Sequence, residues 1–246
     1  MMKLIFRIYR KIKSFFKVNW VKTIYINLKM LPFEQARHIP IVVFGQCSIQ
    51  SLSGKIIFRS PVEFGMLGLG QRYEVFLNES GKAELNIQGK LIIKNKAQFG
   101  YDYKIFVDKS ATLTLGNMSS MASQAKIICT QNITLGEFCR LGSECQIIDT
   151  NFHNLKDVKT NEVFNKSNDI LLGSFNFISN RVSILGKTVT PDYCTVASNT
   201  LLNKDYSSFG ENIILGGIPA KLVKENIVRD WETEKENLEN YLTIKL

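Results

Sequence analysis

Aliphatic or β-branched residues recur at every sixth position through the later part of this chain. The longest unbroken series is Leu172, Ile178, Ile184, Thr190, Val196 and Leu202. A spacing of six fits neither an α-helix, whose period is about 3.6 residues, nor a half-buried strand, whose period is about 2. It fits short strands joined by tight corners, in which each coil is hydrogen-bonded to the coils about 4.8 Å above and below it.

The same frame continues upstream. Its further anchors are Leu135, Leu141 and Ile147, then Leu115, Met121 and Ile127, and earlier Ile87, Ile93, Phe99, Ile105 and Ala111. The fifth position of the hexapeptide is small or β-branched, and Cys139, Cys145 and Cys194 occupy it. We therefore expect these cysteines to pack inside the coils. Five cysteines without a CxxC pair argue against a disulfide framework and a structural zinc site.

The repeat predicts an all-β chain built around one parallel β-helix. We assign residues 45–223 to this domain, with an excursion loop at 151–170, a lead-in at 1–44 and a C-terminal helix at 224–246. The apolar residues with helical spacing in the last segment are Ile227, Val228, Trp231, Leu238 and Tyr241. We expect this amphipathic helix to cover the open end of the solenoid or a neighbouring subunit.

No apolar stretch of the sequence is long enough for a membrane span, which needs roughly 18 uninterrupted apolar residues. The first residues also lack a compact apolar segment followed by a small-residue cleavage site, so no secretory signal is evident. We expect a cytoplasmic protein, or one held peripherally on the inner face of the cytoplasmic membrane.

The formal charge of +9 is concentrated in residues 1–33. That segment has no acidic residue, and its basic residues are Lys3, Arg7, Arg10, Lys11, Lys13, Lys17, Lys22 and Lys29. Apolar residues recur among them at helical spacing, namely Ile5, Ile8, Ile12, Phe15 and Phe16. Two interpretations stay open for residues 1–30: a helix on an anionic membrane surface, where each basic group contributes about 1 kcal/mol, or a solvated helix that caps the domain. The body carries no basic stripe, so we expect no nucleic-acid binding.

His153 stands where the repeat breaks off. It follows Ile147, the last regular anchor, and it opens the polar stretch "NFHNLKDVKTNEVFNKSND" before the repeat resumes at Leu172. Long irregular loops on a rigid scaffold often carry function. An imidazole can accept the proton of an attacking hydroxyl at neutral pH. The position of His153 therefore favours a catalytic role, whereas His38 precedes the repeat and is assigned no chemistry.

Several segments together resemble the hexapeptide-repeat acyltransferases. "LGEFCR" and "LGSECQ" match the repeat [LIV]-G-x-x-[small]-x, and "DTNFH" is similar to the D-x-D-F-H segment of sugar O-acetyltransferases in that family. "LLNKD" followed by "GGIPAK" is similar to the family's closing segment, and "LKMLPFEQARHIPIVV" to the lead-in of bacterial surface-polysaccharide acetyltransferases. The resemblance covers nearly the whole chain. It implies a left-handed parallel β-helix, a homotrimer, and acetyl-CoA-dependent O-acetylation of a sugar in a cell-surface polysaccharide or its lipid-linked precursor.

The resemblance also implies roles for single residues. His153 would be the general base, Asp149 would orient its imidazole or bind the acceptor, and Asn151 would contact the acceptor. The acetyl-CoA site would be formed by Asn180, Ser198, Asn203, Lys204, Gly217, Pro219, Lys221 and Lys224. Lysines suit the coenzyme's phosphates, and a backbone N–H at the corner 178–180 would face the thioester carbonyl.

Two other functions stay open at this point. The same fold supports N-acyl transfer to an amino sugar, and a β-helix can also serve as a non-catalytic binding or assembly protein. A metal-dependent hydratase is disfavoured, because its site needs three histidines and only His153 lies within the repeat. We therefore expect no metal.

Overall fold

The body of the protein is a three-sided parallel β-helix. The computed structural model describes residues 15–71 and 80–244. Each regular coil passes in turn through one strand of three sheets, which we call sheets I, II and III. Strands pair in parallel with the strand one coil away, so the solenoid predicted from the six-residue period is confirmed.

The strands are short and regularly spaced. Sheet I contains β1 (Ile41–Val43), β4 (Leu67–Leu69), β7 (Ala97–Phe99), β10 (Ser119–Met121), β13 (Arg140–Leu141), β18 (Phe177–Ile178), β20 (Thr195–Val196), β22 (Ile213–Gly216) and β23 (Lys221–Glu225). Sheet II contains β2 (Cys47–Leu52), β5 (Ala83–Ile87), β8 (Lys104–Val107), β11 (Lys126–Cys129), β14 (Gln146–Ile148), β19 (Ser183–Leu185) and β21 (Leu201–Leu202). Sheet III contains β3 (Lys55–Phe58), β6 (Lys90–Ile93), β9 (Thr112–Leu115), β12 (Asn132–Leu135) and β17 (Ile170–Leu172). A separate antiparallel hairpin is formed by β15 (Leu155–Lys156) and β16 (Val163–Phe164).

Helices flank the solenoid. They are α1 (Trp20–Met30), α2 (Phe33–Ala36), a 3-10 turn (Ser207–Phe209) and α3 (Trp231–Leu242). In the described part of the chain, no helix combines the length and the apolar character that crossing a bilayer requires. The solenoid itself runs from Ile41 to Glu225, slightly beyond the assigned range of 45–223.

The hexapeptide anchors form the core. Every anchor from Ile87 to Leu202 named above is at most 4% exposed. The fifth-position cysteines are fully buried and unpaired. Burial raises the pKa of the Cys145 thiol to about 11 and that of Cys194 to about 12. These thiols therefore stay protonated at neutral pH and act as packing groups, as the repeat predicts.

The fourth position of the hexapeptide often has a left-handed backbone, which the sequence did not reveal. φ is 49° at Phe138, 61° at Glu144, 55° at Phe175, 58° at Arg181 and 55° at Tyr193. This conformation costs a non-glycine residue roughly 1–2 kcal/mol. At the corner between sheets III and I, ring stacking offsets part of that cost. The ring of Phe175 stacks on Phe138 and Tyr193 with centroid separations of 5.2 and 5.0 Å.

Helix α1 closes the N-terminal end of the solenoid. The first strand, β1, leaves backbone groups that no earlier coil can pair. The Asn27 side chain accepts the Ile41 N–H at 3.2 Å and donates to the Ile41 carbonyl at 2.7 Å, while the Thr23 hydroxyl accepts the Val43 N–H at 3.0 Å. Residues 20–30 thus have the capping role that was one of two interpretations of the arm. The helical pattern from Ile5 to Ile12 lies outside the described residues.

Helix α3 lies along the side of the solenoid and not over its open end, which was one of the two places expected for it. Contact with a neighbouring subunit, the other expected place, stays a prediction. The centroid of its Trp231 ring lies 5.7 Å from the centroid of the Phe175 ring. Leu242 packs in the same cluster as Met118, which belongs to an earlier coil of the solenoid. Beyond the helix, Ile244 contacts Gly68 of sheet I. The physical reason is the apolar cluster of Met118, Phe138 and Phe175 beside sheet I, which Trp231 and Leu242 cover. Strands β4, β7 and β10 are accordingly buried on both faces.

Candidate functional site

The excursion loop leaves the solenoid at the corner between sheets II and III. The chain departs after β14 and returns at β17, and the hairpin β15–β16 projects in between. Two backbone hydrogen bonds close the stem of the loop, from Asn168 N–H to Asp149 O and from Asn151 N–H to Lys166 O, both at 2.8 Å. The loop is therefore fixed where it meets the scaffold.

Asp149 fixes this corner to the coil below. Its side chain is buried, and its Oδ1 accepts both the backbone N–H and the hydroxyl of Thr130 at 2.8 Å. Its Oδ2 accepts the Gln131 N–H at 2.8 Å. Within the described residues, the carboxylate makes no hydrogen bond to His153. The geometry thus places Asp149 in the support of the loop and provides no contact for the predicted orienting role.

Two hydroxyl groups extend this anchor into the loop. The Thr130 hydroxyl lies 2.8 Å from the Ser167 hydroxyl, which lies 3.1 Å from the hydroxyl of Thr150. The Thr150 hydroxyl in turn accepts the Phe152 N–H at 3.0 Å. This chain of hydrogen bonds runs from the scaffold to the residue that precedes His153.

His153 is exposed at a bend just beyond the stem. Phe152 before it has a left-handed backbone with φ of 60°. No hydrogen bond or ion pair involves the His153 side chain among residues 15–71 and 80–244. Both ring nitrogens are therefore free to meet a substrate, which is the arrangement that a general base needs.

A cleft lies between the loop and the coils that follow it. Its volume is about 360 Å³, and three predicted site residues line it, Asp149, Asn151 and Asn203. Lys166 and Lys187 also line it, and among the described residues they are its only charged side chains besides the engaged Asp149. The volume lies within the range of small-ligand sites, about 300–1,000 Å³. This side of the loop therefore provides a polar cleft with a positive lining.

A second cleft of about 580 Å³ lies on the opposite side of the hairpin, and Thr130, Gln131 and Asn154 are among its lining residues. His153 lies between Asn151, which faces the first cleft, and Asn154, which faces the second. The histidine itself lines neither of the two clefts, and it belongs to the short segment that connects them.

Four of the predicted acetyl-CoA residues lie at the corner between sheets I and II. Asn180, Ser198, Gly217 and Pro219 belong to successive coils there, linked by bonds such as Leu201 N–H to Gly217 O at 3.0 Å. In the described chain, the backbone N–H groups of Asn180 and Ser198 have no protein acceptor. The Asn180 side chain is engaged instead, since its Oδ1 accepts the Ser143 N–H at 3.0 Å.

Of the other four, Lys221 pairs with Gly216 beside this corner and three lie away from it, so the eight residues do not form one cluster. Asn203 and Lys204 follow β21 at the corner between sheets II and III, while Lys221 and Lys224 lie on β23 of sheet I. Each hexapeptide step carries the chain to the next corner, which separates residues that are close in sequence. The five steps from Ser198 to Asn203 span at most about 17 Å. An extended ligand along the outer face of sheet II can reach both corners.

Sequence reasoning missed the residues that support the loop and line the cleft. The repeat could have predicted Thr130 and Gln131, because it aligns successive corners of the solenoid. Ile128 pairs with Ile148, so the corner that follows β11 lies directly below Asp149. Lys166 and Lys187 gave no comparable signal. In the described ranges, no group of three histidine, cysteine or acidic side chains is placed to hold a metal ion.

Comparison with known proteins gives one curated relative and several structures. No protein-family model matches the chain. The "Polysialic acid O-acetyltransferase" of Escherichia coli O1:K1 / APEC is 22% identical over 136 residues, which are 54% of this chain and 43% of the relative. The match therefore spans less than half of the length of that relative.

Two solved structures cover more of the chain at lower similarity. The polySia specific acetyltransferase NeuO aligns over 82% of this chain and 96% of its own, with 15% identity and a TM-score of 0.49. The polysialic acid O-acetyltransferase OatWY aligns over 75% of this chain and 91% of its own, with 21% identity and a TM-score of 0.42. Both TM-scores lie below 0.5, so neither alignment adds to what the solenoid itself shows.

We expect Asp149→Asn to destabilise the protein. An amide in place of the carboxylate would direct an N–H at Thr130 or Gln131, which are themselves donors, and hydrogen bonds to a charged group contribute about 1.5–3 kcal/mol. Urea denaturation measures the change in the free energy of unfolding. Glu211→Gln is the matched control, since that carboxylate is exposed. Equal stability of the two variants would refute the anchoring role of Asp149.

Proposed function

We propose that this chain transfers an acetyl group from acetyl-CoA to a hydroxyl of a sugar in a cell-surface polysaccharide or its lipid-linked precursor. The observation that carries the proposal is the position of His153. It is an exposed histidine without partners in the described residues, in the loop that interrupts the solenoid, and the nearby residues Asn151 and Asn154 each line a cleft. The name of the curated relative supports the same reaction class.

His153 serves as the general base in a direct transfer. The acceptor hydroxyl loses its proton to the imidazole as its oxygen attacks the thioester carbonyl carbon. The new C–O bond forms, the C–S bond of the thioester breaks, and the sulfur leaves with the electron pair and is then protonated. A positioned base of this kind contributes about 10²–10⁴ in rate.

The donor lies along the outer face of sheet II. Asn180 and Ser198 lie at the corner away from His153 of the same chain, so the free N–H groups of these residues in a neighbouring subunit are the ones suited to hydrogen-bond the thioester oxygen, which becomes negative during attack. Lys204 at the other corner and Lys221 at the start of β23 are exposed cations for the coenzyme's phosphates. Gly217 and Pro219 shape the turn beside Lys221.

The acceptor is an anionic sugar. Lys166 and Lys187 line the cleft, and the one carboxylate there, Asp149, is fully engaged by Thr130 and Gln131. A carboxylated sugar would complement these cations, while Asn151 and Asn203 offer hydrogen bonds to its hydroxyls. The polysialic acid named for the curated relative is an acceptor of this class.

The active form is a homotrimer. The hairpin region exposes Phe152 by 57%, Leu155 by 58%, Val158 by 89% and Val163 by 56%. Contiguous exposed apolar side chains of this kind are typical of an interface. A neighbouring subunit packed against the hairpin would close the clefts beside His153.

We expect the full chain to sediment as a trimer in analytical ultracentrifugation. Val158→Asp should shift the distribution to smaller species, because it buries a charge at the proposed contact. Val223→Asp is the matched control, because Val223 is 63% exposed on β23, and it should leave the sedimentation mass unchanged. A monomeric wild-type chain at assay concentrations would contradict the trimer.

We expect His153→Ala to lower kcat for acetyl transfer by about 10²–10⁴, because the proton acceptor is lost. The melting temperature should not change, since the side chain has no partners in the described structure. Transfer of labelled acetyl from acetyl-CoA to polysialic acid and to a neutral polysaccharide provides the assay.

His38→Ala is the matched control, because His38 is the other exposed histidine. Undiminished transfer by His153→Ala would refute the mechanism. A preference for the neutral polysaccharide would refute the anionic acceptor.

A further inference from the structure

Helix α1 has two faces of opposite kind. Thr23, Ile26, Asn27 and Met30 form the inner face, which is buried against the solenoid. On the outer face, Val21 is 80% exposed, Ile24 49%, Tyr25 51% and Leu28 57%. Both sets have the spacing i, i+3, i+4, i+7, so each forms one continuous stripe along the helix. Capping the solenoid explains the inner stripe and leaves the outer one without a described partner.

Two further aromatic side chains lie just before and just after the helix. Phe16 is 79% exposed and Phe33 is 70% exposed. Together with the outer stripe of α1, they place six large apolar side chains at the N-terminal end of the solenoid. A monomeric soluble surface seldom exposes so many in one region, so this end has the character of a binding surface.

The sequence at this end of the chain is strongly basic. Residues 1–33 carry eight basic side chains and no acid. Lys29 is exposed on α1 itself, and the first acidic residue, Glu34, forms an ion pair with Arg37 at 3.3 Å. Two copies of the surface would bring like charges together, whereas an anionic lipid headgroup attracts each basic group by about 1 kcal/mol.

We propose that the outer stripe of α1 docks on the surface of an anionic membrane. Val21, Ile24, Tyr25 and Leu28 enter the boundary between headgroups and acyl chains, and the exposed Lys29 of the same helix contacts the headgroups. The helix lies on the bilayer with its inner face still capping the solenoid. In this orientation α1 both caps the solenoid and contacts the membrane, which are the two roles that its sequence left open.

The docked orientation has a consequence that rests on the proposed function. From β1 to β18, at the level of the cleft, sheet I advances by five strands, or roughly 24 Å at 4.8 Å per strand. Because α1 lies between β1 and the bilayer, the cleft would stand more than that distance above the lipid. An acceptor of several sugars extending from the membrane reaches it, whereas a single sugar on a lipid does not.

Vesicle co-sedimentation of the full chain tests the docking. Wild-type protein should bind vesicles of phosphatidylcholine with phosphatidylglycerol, should not bind phosphatidylcholine alone, and should be released as salt is raised. The double variant Ile24→Gln, Leu28→Gln should bind the anionic vesicles about tenfold more weakly. The matched control is Leu171→Gln with Val228→Gln, whose side chains are 47% and 43% exposed on other surfaces.

Several outcomes would overturn the docking. They are equal binding by the α1 variant and the control, equal binding of wild type to neutral vesicles, and no binding at all. A change in the sedimentation mass of the α1 variant without loss of vesicle binding would assign the stripe to a second copy instead. Melting temperatures confirm that both variants are folded. Acetyl transfer to a soluble acceptor should stay unchanged in both, which separates this test from that of the proposed function.

Discussion

Backbone hydrogen bonding between successive coils is the interaction on which the rest of the structure depends. Ile127, for example, is held in register between Ile105 below and Ile147 above. Such a stack has no edge along its length but leaves unpaired groups at its two ends. At the N-terminal end, side chains of α1 substitute for the missing coil. At the other end, β23 folds back antiparallel on β22.

The same constraint governs the candidate site. A loop can be inserted into a coil only if the strands on either side keep their register. Strand β14 still pairs with β11 before it and with β19 after it, although the excursion loop follows directly. Asp149 makes this possible, because its carboxylate satisfies donors of the preceding corner while its backbone closes the loop stem. The loop can therefore vary in length and composition, and present His153, without disturbing the coils.

The features that follow from the period could be predicted from the sequence. The buried anchors, the inward cysteines and the position of the loop all depend on local pattern alone, and the structure confirms them. The place of α3 could not be predicted, because it depends on which sheet face lacks cover, and that is known only when the coils are assembled. The left-handed fourth position was hidden for a similar reason, since stacked neighbours offset its cost and no glycine marks it.

The site residues show the same division. The repeat leads to His153 and to the corners that carry Asn180 and Ser198. It does not show that the Asp149 carboxylate accepts hydrogen bonds from Thr130. It also does not show that Lys204 lies at the corner between sheets II and III while Lys221 lies in sheet I. Those facts depend on contacts between residues far apart in sequence. The function of this chain therefore rests on where a few polar groups are placed by a regular scaffold.

Hydrogen–deuterium exchange of the full chain with and without acetyl-CoA reports where the donor lies. We expect slower exchange at residues 179–182 and 197–205, along the outer edge of sheet II and its two corners, with little change in sheet III. Unchanged exchange throughout, or slowing confined to sheet III or α3, would contradict this placement of the donor.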